Sequence, residues 1–327
     1  MNKLLNTSLL TIVLAIAGYL GFSIYSGGEA VLRALMALPL SIWFAILSFS
    51  LLNYVIRYWR WHIYIACTDK ENLKRLSLLR HLGIYIAGFA LTMTPGKAGE
   101  AMRTLYLKQY GIDHQNTLAA LFVERIMDLL AVLILALYGL SLLESQQAQL
   151  ASVFTALLIV GCVVMIKIPF ATILTWHSTQ KLPDQILGIV RFASGLFSNA
   201  NRLLNIKLFM IGLGLGLVAW GVEGYGLHLV MQQYMPNMTS SIDLSTSVAV
   251  YSIAVLLGAI AFLPGGIGGT EAAMMYMLIK LGFDTPSAAA ITLICRIATL
   301  WFAIALGMVV MFILSLVGMK PMLQEKL

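Results

Sequence analysis

The chain has 327 residues, of which 60% are hydrophobic and 11% charged, whereas a soluble domain carries about 25% charged residues, so a water-soluble fold is excluded. One membrane crossing takes roughly 20 apolar residues, so the length accommodates about six to eight helices. The net charge of +7 does not signal nucleic acid, because the Lys and Arg residues stand between hydrophobic segments, where they orient a membrane protein, and form no single patch.

The first apolar run, 7–25, follows Lys3. It is long for a signal-peptide core and lacks a small-x-small cleavage site, so it reads as a retained span. The second span, 40–60, ends in N-Y-V-I-R-Y-W-R-W, with Arg57 and Arg60 beside Tyr58, Trp59 and Trp61. Two readings fit it: interfacial aromatics with snorkelling arginines, or a cytoplasmic vestibule for an anionic headgroup. The stretch 80–110 is apolar but broken by T-P-G-K-A-G-E-A at 94–101, and Lys97 and Arg103 flank the break and extend that vestibule inward.

The span 117–143 holds Glu124, Arg125 and Asp128. Their spacing puts Glu124 and Asp128 on one helix face and Arg125 within reach of Asp128. A further span, 150–168, precedes 178–205, which reads as an amphipathic helix on the cytoplasmic surface through Leu182, Ile186, Ile189, Val190 and Phe197. The span 209–231 contains Glu223, the stretch 246–280 is broken by L-P-G-G-I-G-G-T-E-A at 263–272, and the span 288–317 carries Arg296. Cys67, Cys162 and Cys295 show no paired spacing and are expected to be free thiols.

Arg57, Arg60, Lys70, Lys74, Arg75 and Arg80 mark one cytoplasmic loop, and Lys167, Lys181, Arg191, Arg202 and Lys207 mark another, while 144–149 and 232–243 contain no Lys or Arg. This alternation closes if each broken stretch is a re-entrant hairpin that enters and leaves on one side. Both termini, with Lys3, Lys320 and Lys326, are then cytoplasmic. If the broken stretches cross fully, the count rises to eight.

The second Pro-Gly motif is the first with two residues inserted. Glu100 precedes Arg125 by 25 positions, and Glu271 precedes Arg296 by the same 25. In the topology above, the two arginine-bearing helices run in opposite directions. The expectation is a single domain, 1–327, built of inverted repeat halves at about 40–145 and 209–318, an architecture of secondary transporters with the substrate site between the halves.

A Pro-Gly break frees backbone groups, which is costly in lipid unless they line a polar cavity. Pro95, Gly96, Pro264, Gly265 and Gly266 therefore read as cavity walls or as plain kinks. In the first case the helix starting after each break aims its N–H groups inward, suited to phosphate or carboxylate. An isolated charge at mid-helix costs roughly 2.5–3.5 kcal/mol, so Glu124, Arg125 and Asp128 are expected to be partnered or hydrated, with Arg296 and Glu223 at similar depth. A purely structural ion-pair network is the alternative. Across the candidate binding site, Arg57, Arg60, Lys97, Arg103, Arg125 and Arg296 oppose Glu100, Glu124, Asp128, Glu223 and Glu271, so charge alone names no anion. The histidines lack metal-ligand spacing, and no HExxH, Walker A, GxSxG or dinucleotide fingerprint occurs. No metal, cofactor, catalytic residue or ATP-driven pumping is expected.

The runs P-G-K-A-G-E-A-M-R at 95–103, E-R-I-M-D at 124–128 and L-P-G-G-I-G-G-T-E-A at 263–272 resemble the transmembrane, flippase-like domain family of lysylphosphatidylglycerol synthases, over nearly the whole chain. The resemblance implies an all-α polytopic bundle in the inner membrane that moves a lipid between leaflets, here an anionic phospholipid or a polyprenyl-phosphate-linked glycolipid. The sequence has no room for the aminoacyl-transferase domain of the full-length relatives, so the expectation is a stand-alone member that does not make lysyl-lipid. A glycosyltransferase or lipid-synthesis partner is compatible with it. Two other readings stay open: a membrane-embedded lipid-modifying enzyme or glycosyltransferase accessory, and a proton-coupled antiporter using the buried carboxylates.

Overall fold

The computed structural model describes residues 28–141, 146–167, 184–235, 242–261 and 263–319, with the side chains of 95–98, 146–148, 150, 162, 165–167 and 184–186 excepted. The first apolar run, Lys181, Lys320 and Lys326 lie outside these residues, as do parts of both Lys/Arg-free loops.

The described chain is helical throughout. It runs α1 (Gly28–Ala37), α2 (Leu40–Thr68), a single turn at Lys70–Leu73, and α3 (Leu78–Ala87), then 3-10 segments at Gly88–Leu91 and Pro95–Met102 and a short α4 (Arg103–Leu107). The long helices α5 (His114–Ser141) and α6 (Gln146–Lys167) follow, then α7 (Asp184–Leu203) and α8 (Ile206–Gln233). After them come α9 (Leu244–Ile260), a 3-10 turn at Pro264–Gly266, α10 (Gly269–Lys280), α11 (Thr285–Arg296), a π turn at Ile297–Trp301, and α12 (Phe302–Leu316). Among the described residues, α2, α8 and the continuous α11–α12 are long and apolar enough to cross a bilayer. The chain is an all-α integral membrane protein. Its 28-residue α5 is equally long but carries Glu124, Arg125 and Asp128.

Two apolar clusters hold the bundle. One is aromatic, with Tyr58, Trp61, Tyr64 and Tyr85 packed on α5 and α12. The other joins α8 and α9 to α10 and α11 through Trp220, Val250, Tyr251, Met274 and Ile294. Small residues let elements close: a Cβ on Gly307 of α12 would strike the backbone of Phe89 and Ala90, so the 3-10 segment after α3 lies directly on α12.

The two broken stretches differ from one another. Helix α3 already ends at Ala87, ahead of the first Pro-Gly, and the residues after Pro95 form a 3-10 helix, so no α-helix begins at Gly96. At the second break Gly265 (φ 63) and Gly266 (φ 70) are left-handed, a conformation that costs a side-chain-bearing residue about 1–2 kcal/mol. Helices α9 and α10 then pack on one another on either side of this break, in the same apolar cluster.

Two further helices add to the sequence reading. The amphipathic segment is a helix from Asp184 to Leu203, but it docks on the bundle: Phe197 meets Phe122 of α5 edge-on at 5.7 Å, and Ala200 and Leu203 are buried. Helix α1 had no counterpart in the sequence reading; it packs Val31 against Ala289, Ala290 and Leu293 of α11.

Candidate functional site

Arg57 and Arg60 are not exposed interfacial anchors. Helix α2 continues to Thr68, so both arginines sit well inside it, one turn apart on the face that meets α5. They are buried, and Asp128 receives both: Arg57 Nη2 lies 3.1 Å from Oδ2 and Arg60 Nη2 lies 2.6 Å from Oδ1. Trp220 of α8 donates its indole N–H to the same Oδ1 at 3.2 Å. The spacing of α5 places Glu124 one turn away, where it accepts from Tyr85 Oη at 2.7 Å and from Arg103 Nη1 at 3.2 Å. Glu100 accepts from Arg103 Nη2 at 2.9 Å and from Thr92 Oγ1 at 3.0 Å. Arg103 itself lies over the Tyr85 ring, 4.0 Å from its centroid.

Arg125 completes this network loosely. Its Nη2 lies between 3.3 and 3.5 Å from Glu100, Glu124 and Asp128, and its side chain is 26% exposed where Arg60 and Arg103 are 0% exposed. The network therefore joins four guanidiniums to three carboxylates, and the Nε–H groups of all four arginines are buried without an acceptor. An unfilled buried donor is costly, about 1–3 kcal/mol, and more for a charged group.

The second motif repeats part of this. Arg296 Nε lies 2.6 Å from Glu271 Oε1, and Arg296 Nη2 donates to the Gly265 carbonyl at 2.7 Å, tying α11 to the break. Glu271 Oε2 accepts the Gly268 N–H at 2.6 Å. The start of α10 is thus occupied by the chain's own carboxylate and is not an open anion site. Glu223 is buried on α8, makes no ion pair with the arginines among the described residues, and accepts from Ser50 Oγ at 3.3 Å.

The two breaks meet. Met93, just before the first, lies against Gly265 of the second, so that a Cβ there would come within 2.9 Å of Met93 Sδ. Beside this contact is a cavity of about 150 Å³ walled by Tyr54, Arg57, Thr92, Glu100, Gly265, Gly266 and Arg296. A second cavity, about 220 Å³, shares Trp220, Val255, Gly265 and Gly266 with it and continues along Arg125 and Asp128 to Leu129, Leu256 and Leu263. Leu129 and Leu263 are exposed on the outside of the bundle. The chamber is therefore charged at one end and apolar at the other.

Of the residues singled out from sequence, Arg57, Glu100, Arg125, Asp128, Gly265, Gly266 and Arg296 line these two cavities. Arg60, Arg103 and Glu124 lie behind them in the network, Glu271 holds Arg296, and Glu223 lines a separate small void. Pro95, Gly96 and Lys97 belong to the first 3-10 segment, and Pro264 opens the second. Sequence reasoning missed Tyr54, Thr92, Trp220 and Thr299. Neutral residues on apolar helices give no signal until the charged partners are located, although Trp220 stands one turn from Glu223 on α8. Tyr54 Oη donates to the Thr299 carbonyl at 2.9 Å, inside the π turn that follows Arg296.

Similarity to known proteins agrees with this architecture. A UPF0104 membrane protein of Pyrococcus horikoshii is 22% identical over 253 residues, covering 69% of this chain and 73% of that protein. A UPF0104 membrane protein of Methanothermobacter thermautotrophicus is 27% identical over 128 residues, covering 39% of this chain and 35% of that one. The sequence profile described as the lysylphosphatidylglycerol synthase TM region matches residues 9–307, which takes in both breaks and the whole charged network, and the chain belongs to that family.

Proposed function

We propose that this chain moves an amphipathic lipid with an anionic or phosphate-linked headgroup between the leaflets of the cytoplasmic membrane. The lipid class is an anionic phospholipid or a polyprenyl-phosphate-linked glycolipid. The observation that carries the reading is that Arg57 and Arg125, two guanidinium donors of a network that holds four guanidiniums against three carboxylates, wall the chamber between the two breaks. A phosphate oxygen satisfies such donors and compensates the surplus guanidinium. The apolar end at Leu129, Leu256 and Leu263 suits the first methylenes of the tails. A charged headgroup in hydrocarbon costs several kcal/mol or more, and a polar pathway through protein lowers that barrier.

In this reading the halves 40–145 and 209–318 are inverted copies, the breaks are re-entrant and both termini are cytoplasmic. Support for the duplication comes from Glu100–Arg125 and Glu271–Arg296, 25 residues apart and in contact in both halves. The chain performs no covalent chemistry, and a lipid-synthesis or glycosyltransferase partner supplies or consumes what it carries.

The test is reconstitution into vesicles with a fluorescent-tailed phosphatidylglycerol, comparing the wild type with Arg125→Ala and Arg296→Ala. The expected result is protein-dependent exchange between leaflets that falls at least about tenfold in either variant, the equivalent of about 1.4 kcal/mol in the barrier. Equal rates in all three folded proteins would refute the mechanism.

A further inference from the structure

Five carboxylates are buried among the described residues: Glu100, Glu124, Asp128, Glu223 and Glu271. Four of them have a guanidinium nitrogen at 2.6–3.2 Å at closest approach. Glu223 is the exception. Among the described residues it makes no ion pair, and its hydrogen bond comes from the neutral Ser50 hydroxyl.

The surroundings of Glu223 are specific. From α2 it faces Ser50, Tyr54 and Arg57; from α9, Tyr251; from α11, Cys295, with Arg296 the next residue. From α5, Asp128 is bonded to Trp220, one turn before Glu223 on α8. On its own helix His228 lies five residues on and bonds to Ser247. Of these groups Arg57 and Arg296 carry positive charge, and both are taken, by Asp128 and by Glu271.

Glu223 also communicates with the chamber. It borders a void of about 10 Å³ together with Cys295 and Thr299, of the order of what one water needs. Thr299 lines the main cavity as well, and its carbonyl holds the Tyr54 hydroxyl. One turn of α8 links Glu223 to Trp220, which walls both cavities.

We propose, resting on the headgroup reading above, that Glu223 is a proton-binding site linked to the chamber: it takes up one proton as the anionic headgroup binds and releases it as the headgroup leaves. The charge balance is the reason. Four guanidiniums meet three carboxylates in the described network, and an ionised Glu223, which faces Arg57, supplies a fourth negative charge. When the headgroup brings its own negative charge into contact with Arg57 and Arg125, that fourth charge becomes surplus. Glutamate, proton and anionic headgroup then give glutamic acid plus bound headgroup, with the net charge of the buried site unchanged. Lipid movement through this chain is accordingly proton-linked.

The experiment uses the purified full chain in neutral detergent, with short-chain phosphatidylglycerol as the probe. Binding and proton uptake from weakly buffered solution are followed together between about pH 5 and pH 9. The wild type is expected to take up close to one proton per probe bound at the alkaline end, where its affinity falls about tenfold per pH unit. Glu223→Gln is expected to bind with the affinity of the wild type's acid limit, without pH dependence and without proton uptake. A wild type that binds the probe with no proton uptake at any pH overturns the inference and leaves the headgroup reading standing. So does a Glu223→Gln that takes up as many protons as the wild type. A wild type that binds no probe at any pH refutes both. Should the variant not fold, infrared spectroscopy of the wild type decides: a protonated-carboxyl band grows on probe addition at alkaline pH, and its absence overturns the proposal.

Discussion

Arg296 lies 2.6 Å from Glu271, the residue 25 positions before it, and Arg125 lies 3.4 Å from Glu100 across the same interval. The first pair is tight and nearly buried, although Arg296 borders one cavity; the second is loose, with Arg125 26% exposed and lining the other. Breaking the tight pair from one side leaves an uncompensated buried charge, which costs about 3–5 kcal/mol. Arg296→Gln and Glu271→Gln are each expected to lower the unfolding midpoint sharply, and the double variant to regain part of the loss. Strictly additive losses in thermal unfolding would show that the pair is not coupled.

Arg60 and Arg125 both touch Asp128 but have different duties. Arg60 is fully buried and lines neither of the two cavities, whereas Arg125 is 26% exposed and lines one. Arg60→Ala is expected to destabilise the fold by about 3–5 kcal/mol. Arg125→Ala is expected to suppress lipid exchange at a smaller cost in stability. Stability measured by denaturation and exchange measured in vesicles should separate the two, and identical behaviour would contradict the assignment.

Gly265 tests the closeness of the two breaks. Its φ of 63 and the proximity of Met93 leave no relaxed place for a methyl group. Gly265→Ala is expected to cost about 1–2 kcal/mol from backbone conformation alone, with an added loss of lipid exchange as Met93 is displaced. Full activity and stability in this variant would mean that the break is more adaptable than its contacts indicate.

Asp243 caps α9 from outside the span, accepting from the Ser245 hydroxyl and the Thr246 N–H, and these bonds hold its carboxyl below the usual range. A depressed carboxyl stabilises above its unfolded-state value and loses that contribution as pH falls through its folded-state value. Asp243→Ala is therefore expected to cost about 1 kcal/mol near neutral pH and progressively less in acid. A stability difference from the wild type that does not change with pH would contradict the cap.

The spans of α2, α5, α8 and α11–α12 were legible because an apolar run of about 20 residues has few other uses. The two Pro-Gly motifs were legible because each carries a Glu that stands 25 residues ahead of an Arg. The anchor reading of Arg57 and Arg60 failed for a physical reason. A charge near aromatics at the end of a 20-residue window looks interfacial, yet α2 runs eight residues beyond 60, and the partner that buries both arginines, Asp128, is 68 residues or more away in sequence. With them removed, Lys70, Lys74, Arg75 and Arg80 are the exposed basic residues left on that loop. The 3-10 course of the first break was equally hidden, since Pro95-Gly96 locates an interruption but not the geometry that follows it.

The account depends most on the chamber between the breaks being where a headgroup sits. Electron cryo-microscopy of the full chain in nanodiscs of phosphatidylglycerol measures this directly. The account predicts phosphate density within hydrogen-bonding distance of the Arg57 and Arg125 guanidiniums, with its tails leaving past Leu129 and Leu263. Lipid confined to the outer surface of the bundle, with those two guanidiniums bonded to protein groups alone, would contradict it.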